Sequence, residues 1–240
     1  MPAPLSDGAR WLADAQVHFL EGHFEQALRG YSRVLQLEPA YEAAWAGQVR
    51  MLIELGEFQE ARIWADKALE KHPNQAELLA AKAVALARSG ALAEALALSD
   101  AAIEQRGDCP YIWLARGDVL LARKEKRADH CFTRALSAAP GEWLWFWLAS
   151  RIHSYYRRFA AALKLVSESL ALAPGRSVVW SQMGRCQLAL GLADAARTSF
   201  QQARQLDPGC EDVASGLRDL ECLGWWARLL ARFRGRLGGA

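Results

Sequence analysis

At 240 residues, 52% hydrophobic and 23% charged, the chain is long enough to bury a real core and too apolar to be disordered. A formal net charge of +2 gives no global reason to expect nucleic acid as a partner. Five scattered cysteines (Cys109, Cys131, Cys186, Cys210 and Cys222) form no C-x-x-C pair. They argue for free thiols in a reducing compartment rather than a zinc ribbon or redox site.

The amino end, MPAPLSDGARW, has no basic region followed by a long apolar run, and nowhere do eighteen apolar residues run together. Neither a signal peptide nor a transmembrane helix is expected, so the chain reads as soluble. From about residue 8 a rhythm sets in. Pro39 and Pro73 lie 34 residues apart, as do Pro140 and Pro174, then Pro174 and Pro208. Aligned on the prolines, one column reads Ala27, Ala61, Ala95, Ala128, Ala162 and Ala196. A second is mostly bulky (Trp11, Trp45, Leu79, Trp113, Phe146, Trp180) and a third mostly small (Ala15, Val49, Ala83, Gly117, Ser150, Gly184). A fourth reads Val34, Ala68, Ala102, Ala135, Ser169 and Ala203. Small against bulky is what two closely packed helices require. Glycine-bearing turns at 21–24, 55–58, 89–92 and 190–193 punctuate the helix pairs, and proline closes most units.

These columns resemble the tetratricopeptide repeat, whose pattern is W-x2-L-G-x2-Y…A-x3-F…P over 34 residues. The resemblance covers about residues 8 to 210 and implies an all-α, right-handed α-solenoid of six helix hairpins with a C-terminal capping helix. The repeats fall at 8–41, 42–75, 76–109, 110–142, 143–176 and 177–210, leaving 211–240 for the cap and a basic amphipathic helix. Two departures stand out. The third repeat ends RGDCPY with Pro110 displaced, and the fourth is one residue short, with a turn, ARKEKRAD, that lacks glycine. The fifth has Arg157 at its turn. A change of superhelical angle is expected between repeats four and five.

In this family the first helices line a concave groove. At 100° per residue, positions 2, 5, 6, 9, 12 and 13 of each first helix then face it. That places Arg50, Arg88, Tyr111, Leu114, Leu144, Trp147, Arg151, Tyr155 and Arg185 in the groove, against Glu54, Glu77 and Asp118. In the aromatic run WLWFW, Phe146 is assigned to the core, Trp143 and Trp145 to the flanks, and Trp147 to the groove. Aromatic anchors beside arginine forks suit an acidic segment of a partner protein. The alternatives are aromatics packed between irregular repeats and arginines paired with local acids. The carboxylate clamp of chaperone-binding family members is not matched: its first three repeats give Leu12, Gln16, Gly47, Glu77 and Ala81.

Val213, Leu217, Leu220 and Leu223 fall at helical spacing and suit a cap on the last repeat. WWARLLARFRGRLGGA follows, with Trp225, Trp226 and Phe233 on one face and Arg228, Arg232 and Arg236 supplying charge. It would cap the array or lie on an anionic membrane or in a partner groove. His18 and His153 share a core column, His23 and His72 sit at turns, and no catalytic motif occurs. The expectation is a non-catalytic protein-binding scaffold or adaptor, without cofactor, metal, nucleic acid or small-molecule substrate. It would be cytoplasmic, on composition bacterial, and in the alternative reading a peripheral tether at the inner membrane face.

Overall fold

The computed structural model describes residues 6–209 and 212–222. The expected groups Trp225, Trp226, Arg228, Arg232, Phe233 and Arg236 lie outside the described residues. Twelve helices run α1 (Asp7–Glu21), α2 (Phe24–Leu37), α3 (Glu42–Leu55), α4 (Phe58–Lys71), α5 (Ala76–Arg88), α6 (Leu92–Arg106), α7 (Pro110–Ala122), α8 (Ala128–Ala138), α9 (Trp143–Tyr155), α10 (Phe159–Leu172), α11 (Ser177–Ala189) and α12 (Ala193–Leu206). A further helical stretch spans 212–222. Among the described residues there is no strand. The helices pair as six hairpins stacked into an α-solenoid.

The alanine column is fully buried at all six positions, and so is the column seven residues on. Small side chains at these buried positions let the helices pack closely. At Gly184 a methyl group would come within 2.8 Å of the Phe200 ring of the partner helix, so the ring itself demands the missing side chain. The bulky column adds a polar tie. Trp45 and Trp180 donate their indole N–H to the carbonyls of Pro39 and Pro174, six residues earlier, at 2.9 and 2.8 Å. Trp113 donates in the same way to Gly107, at 2.7 Å. The displaced Pro110 therefore costs the third unit nothing, because the tie uses a backbone carbonyl and Pro110 becomes the first residue of α7.

Every hairpin turn holds one residue in the left-handed region. Four are glycines, Gly22, Gly56, Gly90 and Gly191, and the two turns without glycine use Lys124 (φ 60°) and Arg157 (φ 57°). Those turns flank the junction between the fourth and fifth hairpins, where stacking is also thinnest. α5 and α7 lie side by side along their lengths, whereas α7 and α8 touch α9 over short stretches only. Polar contacts span the gap instead. Tyr156 donates its hydroxyl to Asp118 at 2.6 Å, Arg158 donates to Asp129 at 3.0 Å, and His153 lies against Phe132 with centroids 4.5 Å apart.

The solenoid closes on itself. Trp147 of α9 is enclosed by Phe19 and Phe24 of the first hairpin, with ring centroids 6.1 and 6.3 Å away. Nearby, a methyl group on Gly22 would lie 2.6 Å from Val178 of α11. The stretch 212–222 covers the far end, with Val213 and Leu220 buried against Phe200 and Ala196.

The junction can be probed through stability. Left-handed strain of about 1–2 kcal/mol at a residue with a Cβ exceeds the unfolded-chain entropy gained with glycine, about 0.4–1 kcal/mol. Lys124→Gly and Arg157→Gly are expected to raise the urea midpoint, by roughly 0.5–1 kcal/mol each. Gly56→Ala, with open space around it, should lower it; equal midpoints would refute the strain. Burial, then the Arg158 charge, depresses the buried His153 to about 4 from its ordinary 6.5. Its contribution is complete above pH 6.5 and is lost as pH falls toward 4, because the unfolded chain binds the proton more readily. Melting temperature should therefore fall more steeply across that window in the wild type than in His153→Gln.

Candidate functional site: the enclosed groove

The carboxyl-terminal ends of α3, α5, α9 and α11 converge with the 212–222 stretch around a pocket of roughly 570 Å³. Its wall includes Glu54, Phe58, Arg88, Arg151, Tyr155, Gln182, Arg185 and Asp219. Helical spacing puts the arginines here: each lies in the last turns of a first helix, facing inward.

Each of three arginines is already held by a carboxylate. Arg151 donates Nε and Nη2 to Glu54 Oε2 at 2.7 and 2.5 Å, although 97 residues separate them. Its guanidinium lies over Phe24 and Trp147, at 4.7 and 5.2 Å. Arg88 grips Asp118 with Nη2 to Oδ2 at 2.7 Å and Nε to Oδ1 at 3.5 Å, and stacks 4.2 Å over Tyr155. Arg185 donates to Asp212 at 2.6 Å. Arg50 differs: it stacks 4.2 Å over Tyr111 and 5.1 Å over Phe19, and its buried Nη2 has no hydrogen-bond partner among the described residues.

The charges set the protonation states. Burial alone would push Glu54 upward, but Arg151, with Arg88 and Arg50 beyond it, holds the carboxyl below its ordinary value. Burial, reinforced by the Asp118 charge, raises the Tyr156 phenol well above its ordinary value and keeps it a donor to that carboxylate. Burial likewise raises Tyr111. It also raises the thiols of Cys131 and Cys186, which leaves neither as a ready nucleophile.

The expected groove residues divide. Arg88, Arg151, Tyr155 and Arg185 line the pocket, and Tyr155 is 44% exposed. Arg50 and Tyr111 lie beside it, half-buried. Trp147 and Leu114 do not line it: each is 1% exposed and belongs to the core. Leu144 is half-buried against the same core. Helical phase gives Trp147 an open face, and the first hairpin, arriving from the other end of the solenoid, covers that face. Phe146, expected in the core, is only half-buried. The acids Glu54 and Asp118 were legible at groove positions, whereas the covering Phe19 and Phe24 were not, since no local pattern carries end-to-end closure.

Asp118 is 1% and Arg88 8% exposed, so removing one partner strands a buried charge. Asp118→Ala should cost about 3–5 kcal/mol in chemical denaturation, and Arg88→Met added to it should recover part of that loss. A double variant no more stable than Asp118→Ala would contradict this.

Comparison with known proteins agrees with this geometry. A family described as "Tetratricopeptide repeat" matches residues 18–85 and 156–220, more than half of the chain. No curated protein matches the sequence. Among solved structures, TTC0263, a tetratricopeptide repeat protein of Thermus thermophilus, aligns with TM-score 0.58 at 19% identity, covering 75% of this chain and 99% of that one. The anaphase-promoting complex assembly Cut9-Hcn1 aligns with TM-score 0.52 at 15% identity, covering 89% of this chain and 42% of the other, so the present chain spans under half of its length. At such identities the likeness is one of fold. The family match, together with the buried alanine column and the six hairpins, is conclusive: the chain belongs to the tetratricopeptide repeat family.

Proposed function

We propose that the chain is a non-catalytic scaffold that holds an acidic segment of a partner protein, extended or helical and carrying apolar anchors, in the enclosed groove. The fold is one that serves protein–protein interaction in general. The observation that carries the finer reading is the lining of the pocket. Arg88, Arg151 and Arg185 converge on one space of roughly 570 Å³, each fixed along one edge by a carboxylate. A guanidinium has five N–H donors, so an arginine gripped by one carboxylate keeps donors for another. It is also pre-oriented, which lowers the entropic cost of binding. Tyr155 and Phe58 supply the apolar surface in place of Trp147 and Leu114.

Among the described residues no helix is long and apolar enough to cross a membrane. Four free cysteines there fit a reducing compartment, which supports a cytoplasmic setting.

The test is fluorescence anisotropy with a panel of acidic, neutral and basic peptides carrying one or two aromatic residues. Acidic peptides should bind best and weaken with salt. Arg185→Glu and Tyr155→Ala should each weaken binding by about 10-fold or more, the scale of one lost anchor. Glu54→Gln should tighten it, because it removes an internal competitor for Arg151. Equal affinity for basic and acidic peptides, or indifference to all three substitutions, would overturn the reading.

A further inference from the structure

Where the first hairpin meets the sixth, three potential metal ligands converge. His18 and Glu21 lie one helical turn apart on α1, and His23 follows the left-handed Gly22 that ends it, in the run HFLEGH. Their ligand atoms all lie within 4.8 Å of one another. Glu21 Oε2 stands 3.9 Å from His18 Nδ1 and 3.6 Å from His23 Nδ1. Tetrahedral bonds of 2.0–2.2 Å require ligand atoms about 3.4 Å apart, close to this spacing.

Hydrogen bonding sharpens the point. His23 Nε2 lies 3.1 Å from Asp207 Oδ2, at the end of α12. A carboxylate only accepts, so Nε2 carries the hydrogen, and in a neutral ring Nδ1 is left as a lone pair aimed at Glu21. His18 Nδ1 is buried and has no hydrogen-bond partner among the described residues. A carboxylate and the Nδ1 lone pair of His23 thus face each other beside the unpartnered Nδ1 of His18, across a small gap of the size a cation would fill. A carboxylate holding the far nitrogen of a ligating histidine is also the usual outer partner of a metal site.

We infer that His18, Glu21 and His23 bind a divalent transition cation of the zinc class, with Asp207 as the outer partner that orients His23. Sequence spacing alone points to no metal, because it puts one histidine in a core column and the other at a turn. This site is independent of the groove reading. Three protein ligands leave the remaining coordination to water. Because Asp207 belongs to the sixth hairpin, a cation on His23 would polarise the imidazole and strengthen a hydrogen bond between the first and sixth hairpins.

The experiment titrates the untagged full chain with Zn²⁺ by calorimetry and with Co²⁺ by visible absorption, beside His18→Ala, His23→Ala, Glu21→Gln and Asp207→Asn. Melting in chelator first shows that the variants are folded. One equivalent bound, with the intense bands of tetrahedral Co²⁺, is expected. Each histidine variant should lose that binding, and Asp207→Asn should weaken it by about 10–100-fold. Zn²⁺ should raise the melting temperature of the wild type and not that of His18→Ala. Absence of binding would overturn the inference. Binding that survives in both histidine variants would overturn it too, and would place the ion elsewhere, Cys222 being the exposed thiol to examine.

Discussion

The fold depends on how closely two helices of a hairpin can lie. At the crossing points of the fourth and sixth hairpins a glycine meets an aromatic ring, Gly117 against Phe132 and Gly184 against Phe200, so the backbones approach until the ring fills the remaining space. A buried alanine between the two helices recurs in all six hairpins, and that condition leaves little freedom elsewhere. Fully buried alanines at 27, 61, 95, 128, 162 and 196 fix the hairpin angle, and the tryptophan ties at Trp45, Trp113 and Trp180 fix how the second, fourth and sixth hairpins leave the ones before. A chain of units stacked in this way has its curvature set unit by unit.

The curvature carries the first hairpin round to the fifth and sixth, and there a different kind of energy enters. Trp147, Phe19 and Phe24 bury aromatic surface that no neighbouring pair in the chain could bury alone. Arg151 and Glu54 then sit on the inner side of that cluster. The charged pair is sheltered, which strengthens its Coulomb attraction and raises its desolvation cost together. The groove is therefore a set of arginines held in place by packing from both sides, unlike flexible cations on an open face.

Family and fold were legible because both follow from local spacing. The 34-residue period, the alanine column and the turn glycines each report on residues within one or two repeats. The site was legible by halves for the same reason. Helical phase placed Arg88, Arg151, Tyr155 and Arg185 on the inner face and named Glu54, Glu77 and Asp118 as the acids there; Glu54 lines the pocket and Asp118 holds Arg88, whereas Glu77 lies beside Arg106. It misassigned Trp147 and Leu114, since phase gives the direction of a side chain and not what comes to lie over it. The pairing of Arg151 with Glu54 across 97 residues depends on the sum of many small rotations, which no single repeat encodes. The thin junction lies between: the missing glycines at Lys124 and Arg157 flagged it, but the polar substitutes, Tyr156 with Asp118 and Arg158 with Asp129, emerge only in three dimensions.

Closure also bears on how a guest arrives. An open trough admits a chain sideways along its whole length, whereas a ring admits it by an end, or through a breach. The two places where this ring can part are unequal. Between the first and sixth hairpins the ends meet at Gly22 and Val178 and through the His23–Asp207 bond, and between the fourth and fifth the stacking is thin but covalently continuous. If the first were to part while the second bent, the ring would work as a clasp with its hinge. On the proposed function, a segment taken in through that opening would leave only when it reopens, so its dwell time would be governed by the ring as well as by the grip on the segment itself.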